Sequence, residues 1–216
     1  MPESFSGGEI ASAMSAASAV ADPVASPAAD PTTTAAGACT GVGIGPKAID
    51  SVIGVVKAYT TRVGNGPFPT ELNEQTGETL RRIGNEFGAT TGRPRRCGWF
   101  DAVVARYAAR VNGLTDLAVT KLDVLDDFEE IKMAVAYEIG GERVDNFPDD
   151  MAEVSQARPV YESFKGWKSS TIDARSWQDL PNEAKTYLKK VEEVTRVKVS
   201  YVSVGTDREQ IININH

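Results

Sequence analysis

Apolar positions recur along the chain at two spacings, and the switches between them outline its elements. After Pro46, the residues Ile49, Val52, Ile53 and Val56 fall at helical spacing, with a proline suited to the first helical position. Thr61 to Gly64 reads as extended and leads into the turn Asn65-Gly66-Pro67-Phe68-Pro69. Leu72, Leu80, Ile83 and Phe87 predict a second helix, stopped at Gly88. A third helix near Phe100 to Val111 is expected to turn Val103, Val104, Tyr107 and Val111 inward and to end on Asn112-Gly113. Leu117 to Thr120 follows as a short strand. Alternation at Ile131, Met133, Val135, Tyr137 and Ile139 before Gly140-Gly141 predicts a hairpin. Ala184, Tyr187, Leu188 and Val191 mark a last helix, and Val197, Val199 and Tyr201 share one face of a closing strand that ends at Ser203-Val204-Gly205. Helices alternating with strands predict an α/β fold, a mostly parallel sheet with flanking helices.

Residues 1–32 lack this patterning. Runs such as Ala11-Ser12-Ala13-Met14-Ser15-Ala16-Ala17 bury too little area to offset the entropy of ordering, so the segment is expected to be flexible and the folded portion to occupy 33–216. The glycine-rich stretch Gly37 to Pro46 could cradle a phosphate on its backbone N–H groups. It lacks the Gly-Lys-Ser/Thr ending of a P-loop, and a plain tight turn accounts for it equally well.

Composition changes this picture mainly by exclusion. A formal charge of -7 disfavours a nucleic-acid surface, because displacing phosphate counterions needs a basic face. No stretch approaches the ~20 apolar residues that span a bilayer. Met1 to Pro46 contains no Lys or Arg, unlike a secretory or transit segment, so the expected compartment is the cytoplasm. Cys39 and Cys97 have no Cys-x-x-Cys partner and read as reduced, small apolar core residues. The sole histidine, His216, ends the sequence and is read as solvent-exposed.

Two stretches concentrate chemistry. Gly88-Ala89-Thr90-Thr91-Gly92-Arg93-Pro94-Arg95-Arg96-Cys97-Gly98-Trp99 sets two hydroxyls and three guanidiniums between two helices. Guanidinium forks bind carboxylate or phosphate bidentately, and Gly92 permits close backbone approach, although a solvated basic turn also fits. Thr120-Lys121-Leu122-Asp123 follows a strand and has the form of a guanine-recognition tetrad. An Asp carboxylate can accept from guanine N1–H and its exocyclic amine, a donor pair that adenine lacks. A strand followed by a helix capped at Asp123 explains the same residues. The neighbouring acids Asp126, Asp127, Glu129 and Glu130 read as helix caps rather than metal ligands, and Trp99, Trp167 and Trp177 as packing residues.

Together with Val55-Val56-Lys57-Ala58-Tyr59-Thr60-Thr61-Arg62-Val63-Gly64 and Gly66-Pro67-Phe68-Pro69-Thr70-Glu71, these stretches resemble the adenylosuccinate synthetase family. The likeness runs from about Thr33 to Arg208 and covers the carboxyl-terminal half of that family. It implies a P-loop-NTPase-like fold truncated on its amino-terminal side. It also implies a ligase of AMP biosynthesis in which GTP phosphorylates the 6-oxygen of IMP and the amine of L-aspartate displaces that phosphate. Carried over by position, Ala89, Thr90, Thr91, Gly92, Arg93, Pro94 and Arg95 resemble the aspartate loop. Within it Arg93 would also approach IMP, and Arg95 would approach GTP. Val63 resembles an IMP contact, and Lys121, Leu122, Asp123, Ser203, Val204 and Gly205 resemble GTP contacts. The family also implies magnesium, a homodimer, and neither nucleic acid nor membrane as partner.

Departures from the family bound that expectation. Its Gly-Asp-Glu-Gly-Lys-Gly-Lys loop, with a catalytic Asp, a magnesium ligand and phosphate contacts, is not in this sequence, nor is its downstream catalytic His. No catalytic residue and no metal ligand is therefore assigned. Ala29-Asp30-Pro31-Thr32 stands where the family has a Thr-Ser-Ser-Asn run, and Pro94 replaces a frequent basic residue. The chain is expected to lack catalysis by itself. A non-catalytic nucleotide-binding or dimer-partner fragment, or a pseudogene product, are the alternative readings.

Overall fold

The computed structural model describes residues 34–214; the flexibility expected of residues 1–32 and the exposure expected of His216 lie outside them. In chain order, Ala35–Val42 forms helix α1, Ile53–Lys57 strand β1, Thr60–Arg62 β2, Gln75–Ile83 α2, Arg96–Gly98 β3, Phe100–Asp101 β4, Ala102–Asn112 α3 and Asp116–Thr120 β5. Then come Glu130–Ile139 (β6), Glu142–Val144 (β7), Met151–Gln156 (α4), Arg158–Lys165 (β8), Asn182–Thr195 (α5), Lys198–Ser203 (β9) and Ile211–Asn213 (β10). The fold is α/β, as expected. One sheet runs β1-β5-β9-β10, with β1, β5 and β9 parallel and β10 antiparallel.

A second sheet, beyond the sequence expectation, joins β4, β6, β7 and β8, antiparallel except for the β4–β6 pair. A short β2–β3 ladder forms a third, two-stranded sheet. The predicted hairpin closes between β6 and β7, where Gly140 and Gly141 both take positive φ (61° and 87°), as a type I′ turn requires.

The two long helices form where their caps allow. Asp101 starts α3 by accepting from the Val103 and Val104 amides, and Gly113 ends it in the left-handed region. Along α5, Ala184, Tyr187, Leu188 and Val191 are all buried, as predicted. Its Tyr187 hydroxyl donates to the Ala58 carbonyl (2.7 Å), tying the helix to the segment just after β1. Trp99 and Trp167 are buried, and Trp177 packs against the same core.

Four local expectations are corrected. Ile49 to Val56 is not helical: one short turn, Pro46–Ala48, precedes β1. The uninterrupted run Val52-Ile53-Gly54-Val55-Val56 satisfies a strand in a parallel sheet, and its helical spacing is incidental. The stretch from Gly37 forms most of α1 instead of a turn, with Thr34 accepting from Gly37 N–H and Gly43 closing the helix. The second helix ends at Ile83, because the chain turns at Gly84 and at Asn85 in the left-handed region, leaving Phe87 outside it. In α3, Val111 is exposed; the buried line runs through Ala102, Val103 and Ala109, whose small side chains let the helix lie close to the sheet.

Candidate functional site

Three parallel strands deliver their carboxyl ends to one edge. Lys57 ends β1 opposite Thr120, which ends β5, and Val119 of β5 is paired with Val202, one residue before the end of β9. Ligands in open α/β sheets bind along such an edge. Lys121 and Ser203 therefore leave neighbouring strands side by side.

After β5, Lys121 enters the left-handed region (φ 59°) and Leu122–Leu125 form a single 3₁₀ turn. Asp123 sits half-buried on this turn, and burial raises its carboxyl pKa. Among the described residues no other residue donates to its carboxylate, and its own backbone N–H and the nearby Lys121 charge offset the burial in part. It is not the cap of a helix here. Asp126 acts differently, accepting from Trp167 Nε1 (2.7 Å) and from the amide and hydroxyl of Thr171 (2.7 and 2.9 Å), which pins residues 167–171, after β8, to the turn. Leu122 and Val204 are fully buried, and the Val204 N–H donates to the Gln210 carbonyl (3.0 Å), so both hold the turns in place and present no surface here. Ser203 Oγ donates to the Gly205 carbonyl at 2.8 Å, which fixes the turn after β9.

At the centre lies a residue that the sequence does not mark. Glu86 has no exposed side-chain surface and accepts from Lys57 Nζ (2.9 Å), Tyr59 OH (2.6 Å), Lys121 Nζ (2.9 Å) and Arg95 Nη1 (2.9 Å). Burial alone would raise its pKa. The hydrogen bonds from Tyr59, Lys57 and Lys121 and the charge of Lys57 outweigh that and hold it down to about 2. The Lys57 ammonium is lowered by burial, partly offset by Glu86, and Tyr59 is raised by burial and by the carboxylate beside it. Lys121 also donates to the Gly84 carbonyl. One carboxylate thus gathers groups from the ends of β1 and β5, from Tyr59 and from the arginine loop. The signal that could expose it is the set of cations Lys57, Arg95 and Lys121 with no acid assigned to them, which calls for a shared counter-ion.

The arginine loop is the tip of a hairpin whose stem Glu86 opens. Glu86 O accepts from Arg95 N (2.9 Å), and Gly88 N donates to Arg93 O (2.8 Å). Gly92 donates back to Gly88 O and takes φ 62°, the conformation in which a side chain is disfavoured. The tip from Thr90 to Arg93 is exposed, while Arg95 is half-buried on Glu86. Arg96 leaves the loop for Glu71 and for the carbonyls of Gly64 and Gly66. In the β2–β3 ladder Arg62 pairs with Arg96, so the next residues outward are Val63, 68% exposed, and Arg95. The structure therefore brings Val63 to the loop, and through Glu86 the loop to Lys121.

A groove beside the unpaired edge of β1 is lined by Val56, Thr61, Phe68 and Val104. Among the described residues β1 pairs only with β5. Cys39 and Cys97 are free and buried, and burial pushes the Cys97 thiol up to about 11. No group of three or more His, Cys, Asp or Glu side chains gathers to hold a metal among the described residues, so no magnesium cradle is assigned to them. No described helix is long and apolar enough to cross a membrane.

Residues 29–212 match the family described as adenylosuccinate synthetase. An adenylosuccinate synthetase of Carboxydothermus hydrogenoformans is 60% identical over 178 residues, covering 82% of this chain and 42% of that protein. One from Streptomyces coelicolor is 57% identical over 182 residues, covering 84% of this chain and 43% of that protein. The structure of the fully ligated adenylosuccinate synthetase from Plasmodium falciparum superposes with a TM-score of 0.82 at 39% identity, covering 85% of this chain and 44% of the other. The chain spans a little over two fifths of the length of these relatives.

Proposed function

The chain belongs to the adenylosuccinate synthetase family, and on that premise we propose that residues 33–216 supply the guanine and aspartate contacts of a GTP-dependent ligase joining IMP to L-aspartate. One observation carries the reading: a half-buried carboxylate that takes no hydrogen bond from another described residue, Asp123, stands at the carboxyl edge with the Lys121 charge nearby and beside an exposed loop rich in hydroxyl and guanidinium groups. Asp123 accepts from N1–H and the exocyclic amine of guanine. The Lys121 amine is anchored on Glu86 and Gly84, which leaves its stem to lie along the base. Ser203, Val204 and Gly205 complete the base site from the next strand. Arg93 binds the aspartate carboxylate and approaches IMP, Arg95 approaches GTP, and Val63 contacts IMP. GTP is a co-substrate, and the homodimer and cytoplasmic location of the family are part of the same proposal.

These residues bind and orient; none is placed to draw a proton from IMP N1, a role that typically contributes ~10² to 10⁴ in rate. The proposal therefore includes no turnover by this polypeptide without the Gly-Asp-Glu-Gly-Lys-Gly-Lys portion of the family, for which the open edge of β1 and its groove offer a seat. The test is product formation from IMP, GTP and aspartate on one folded preparation, alone and with the separately expressed amino-terminal portion of the Carboxydothermus hydrogenoformans relative. Turnover only in the mixture is expected; turnover by the chain alone refutes the assignment. In the active mixture Asp123→Asn should weaken GTP and favour xanthosine triphosphate, and an unchanged base preference would remove Asp123 from the site.

A further inference from the structure

The proposed guanine segment and the arginine loop share no strand, yet one side chain touches both. Glu86 Oε1 accepts from Lys121 Nζ and Glu86 Oε2 from Arg95 Nη1, each at 2.9 Å. Glu86 is also fixed through its own backbone: its N–H donates to the Arg81 carbonyl (2.8 Å) and its carbonyl accepts from Arg95 N–H (2.9 Å). Arg81 Nε in turn donates to the Arg95 carbonyl at 2.8 Å. The carboxylate therefore belongs to the stem of the very hairpin whose tip is Gly88 to Arg93. Lys121, whose backbone occupies the left-handed region, reaches that stem from the end of β5.

We infer that Glu86 is a positioning residue that clamps Lys121 to the stem of the arginine loop, so that the state of the base segment is felt at the loop tip. The physical ground is that a carboxylate without solvent contact loses its charge compensation when a cation withdraws, and the remaining cations and the stem must then rearrange. Lys57, which donates to both Glu86 oxygens and to Thr61, ties the end of β1 into the same response. Asp101, the other buried carboxylate of this region, faces Tyr137 and two backbone amides and belongs to a separate network. The inference rests on the guanine reading of Lys121 for its functional meaning, but its mechanical part is independent of any ligand.

The experiment is amide hydrogen exchange on the full chain, comparing the wild type with Glu86→Gln, Glu86→Asp and Lys121→Met, each with and without GDP. Gly88, Gly92 and Arg95 report the loop, since their N–H groups are bonded within it, and β9 reports global stability. Lys121→Met lies on a different element from the loop and is expected to speed exchange at these amides about tenfold while leaving β9 protected. Glu86→Gln is expected to do the same, and Glu86→Asp, which keeps the charge, to recover part of the protection. Should Glu86→Gln fail to fold, Lys121→Met decides the matter alone. Loop exchange unchanged in Lys121→Met overturns the clamp whatever GDP does, whereas failure of the wild type to bind GDP overturns the guanine reading alone.

Discussion

Glu86 and Asp101 are two carboxylates of the same region that folding removes almost completely from water, with 0% and 4% exposure. Their pKa values move in opposite directions. Burial pushes both pKa values upward, but the partners differ in kind. Around Glu86 stand Lys57, Arg95 and Lys121 together with the Tyr59 hydroxyl, and its pKa falls to about 2. Around Asp101 stand the Tyr137 hydroxyl (2.7 Å) and the Val103 and Val104 amides (3.1 and 3.2 Å), all neutral. These donors and the more distant Arg106 do not cancel the burial, and the pKa rises to about 6. Full charges compensate desolvation where dipoles only soften it. That contrast separates the two roles: Glu86 organises the candidate site, and Asp101 caps α3 and joins it to β6.

The largest effect should come from emptying the cationic cluster. Glu86→Leu leaves three cations facing an apolar side chain, and breaking a buried ion pair from one side costs ~3 to 5 kcal/mol. Because the side chains of Lys57, Arg95 and Lys121 remain 25%, 32% and 35% exposed, the low end, ~3 kcal/mol, is expected from urea unfolding. A loss below ~1 kcal/mol would mean that the cations rehydrate freely and that the cluster organises little.

Acid titration should separate the pair by sign. Glu86 is depressed in the folded state, so its contribution is present above its ordinary value of 4.5 and is lost as pH falls from there toward about 2. Asp101 is raised, so the folded protein holds a proton that the unfolded chain releases above 3.8; its contribution is full below 3.8 and is lost as pH rises toward about 6. Unfolding free energies measured across this range should show the acid-side loss removed in Glu86→Gln and the loss toward pH 6 removed in Asp101→Asn. Identical pH profiles of the two variants would erase the distinction.

Near neutral pH the same comparison predicts that Asp101→Asn is mild, within ~1 kcal/mol of the wild type, since Asn also caps helices and carries no charge to desolvate. Chemical denaturation of both variants at one pH checks the ranking. A loss for Asp101→Asn as large as that for Glu86→Leu would require Asp101 to be part of a charged network that the geometry does not contain.

The unequal legibility of this fold follows from which residues carry local signals. The β6–β7 hairpin and α5 are readable because Gly140-Gly141 and the buried face of α5 state their conformations locally. β1 reads as a helix because the run Val52-Ile53-Gly54-Val55-Val56 shows no polar alternation to distinguish it from a short apolar helix stripe. The candidate ligand groups can be located at strand ends and on a loop. Glu86 cannot: it is one acid in Asn85-Glu86-Phe87, and its meaning depends on Lys57, Arg95 and Lys121, which only the folded chain brings within 2.9 Å.

The smallest stability effects are expected on the loop itself, where the arginines divide according to their relation to Glu86. Arg95→Leu removes one of the cations from a carboxylate that keeps Lys57, Lys121 and Tyr59, so the cost should be ~1 kcal/mol. Arg93 is exposed and belongs to no ion pair among the described residues, so Arg93→Leu should change stability by less than ~0.5 kcal/mol. Function should rank them differently. In the mixture restored with the amino-terminal portion, Arg93→Leu is expected to weaken use of aspartate, by a higher KM or a lower kcat, equivalent to ~2 to 5 kcal/mol of transition-state binding. Arg95→Leu should act on GTP more than on aspartate. Steady-state kinetics with each substrate varied in turn, beside unfolding curves of the same preparations, separates the two quantities. A residue that is silent in folding and costly in turnover is a ligand contact. If both substitutions change turnover little, the loop is a solvated basic turn, and the exposure of Arg93 is then all there is to explain.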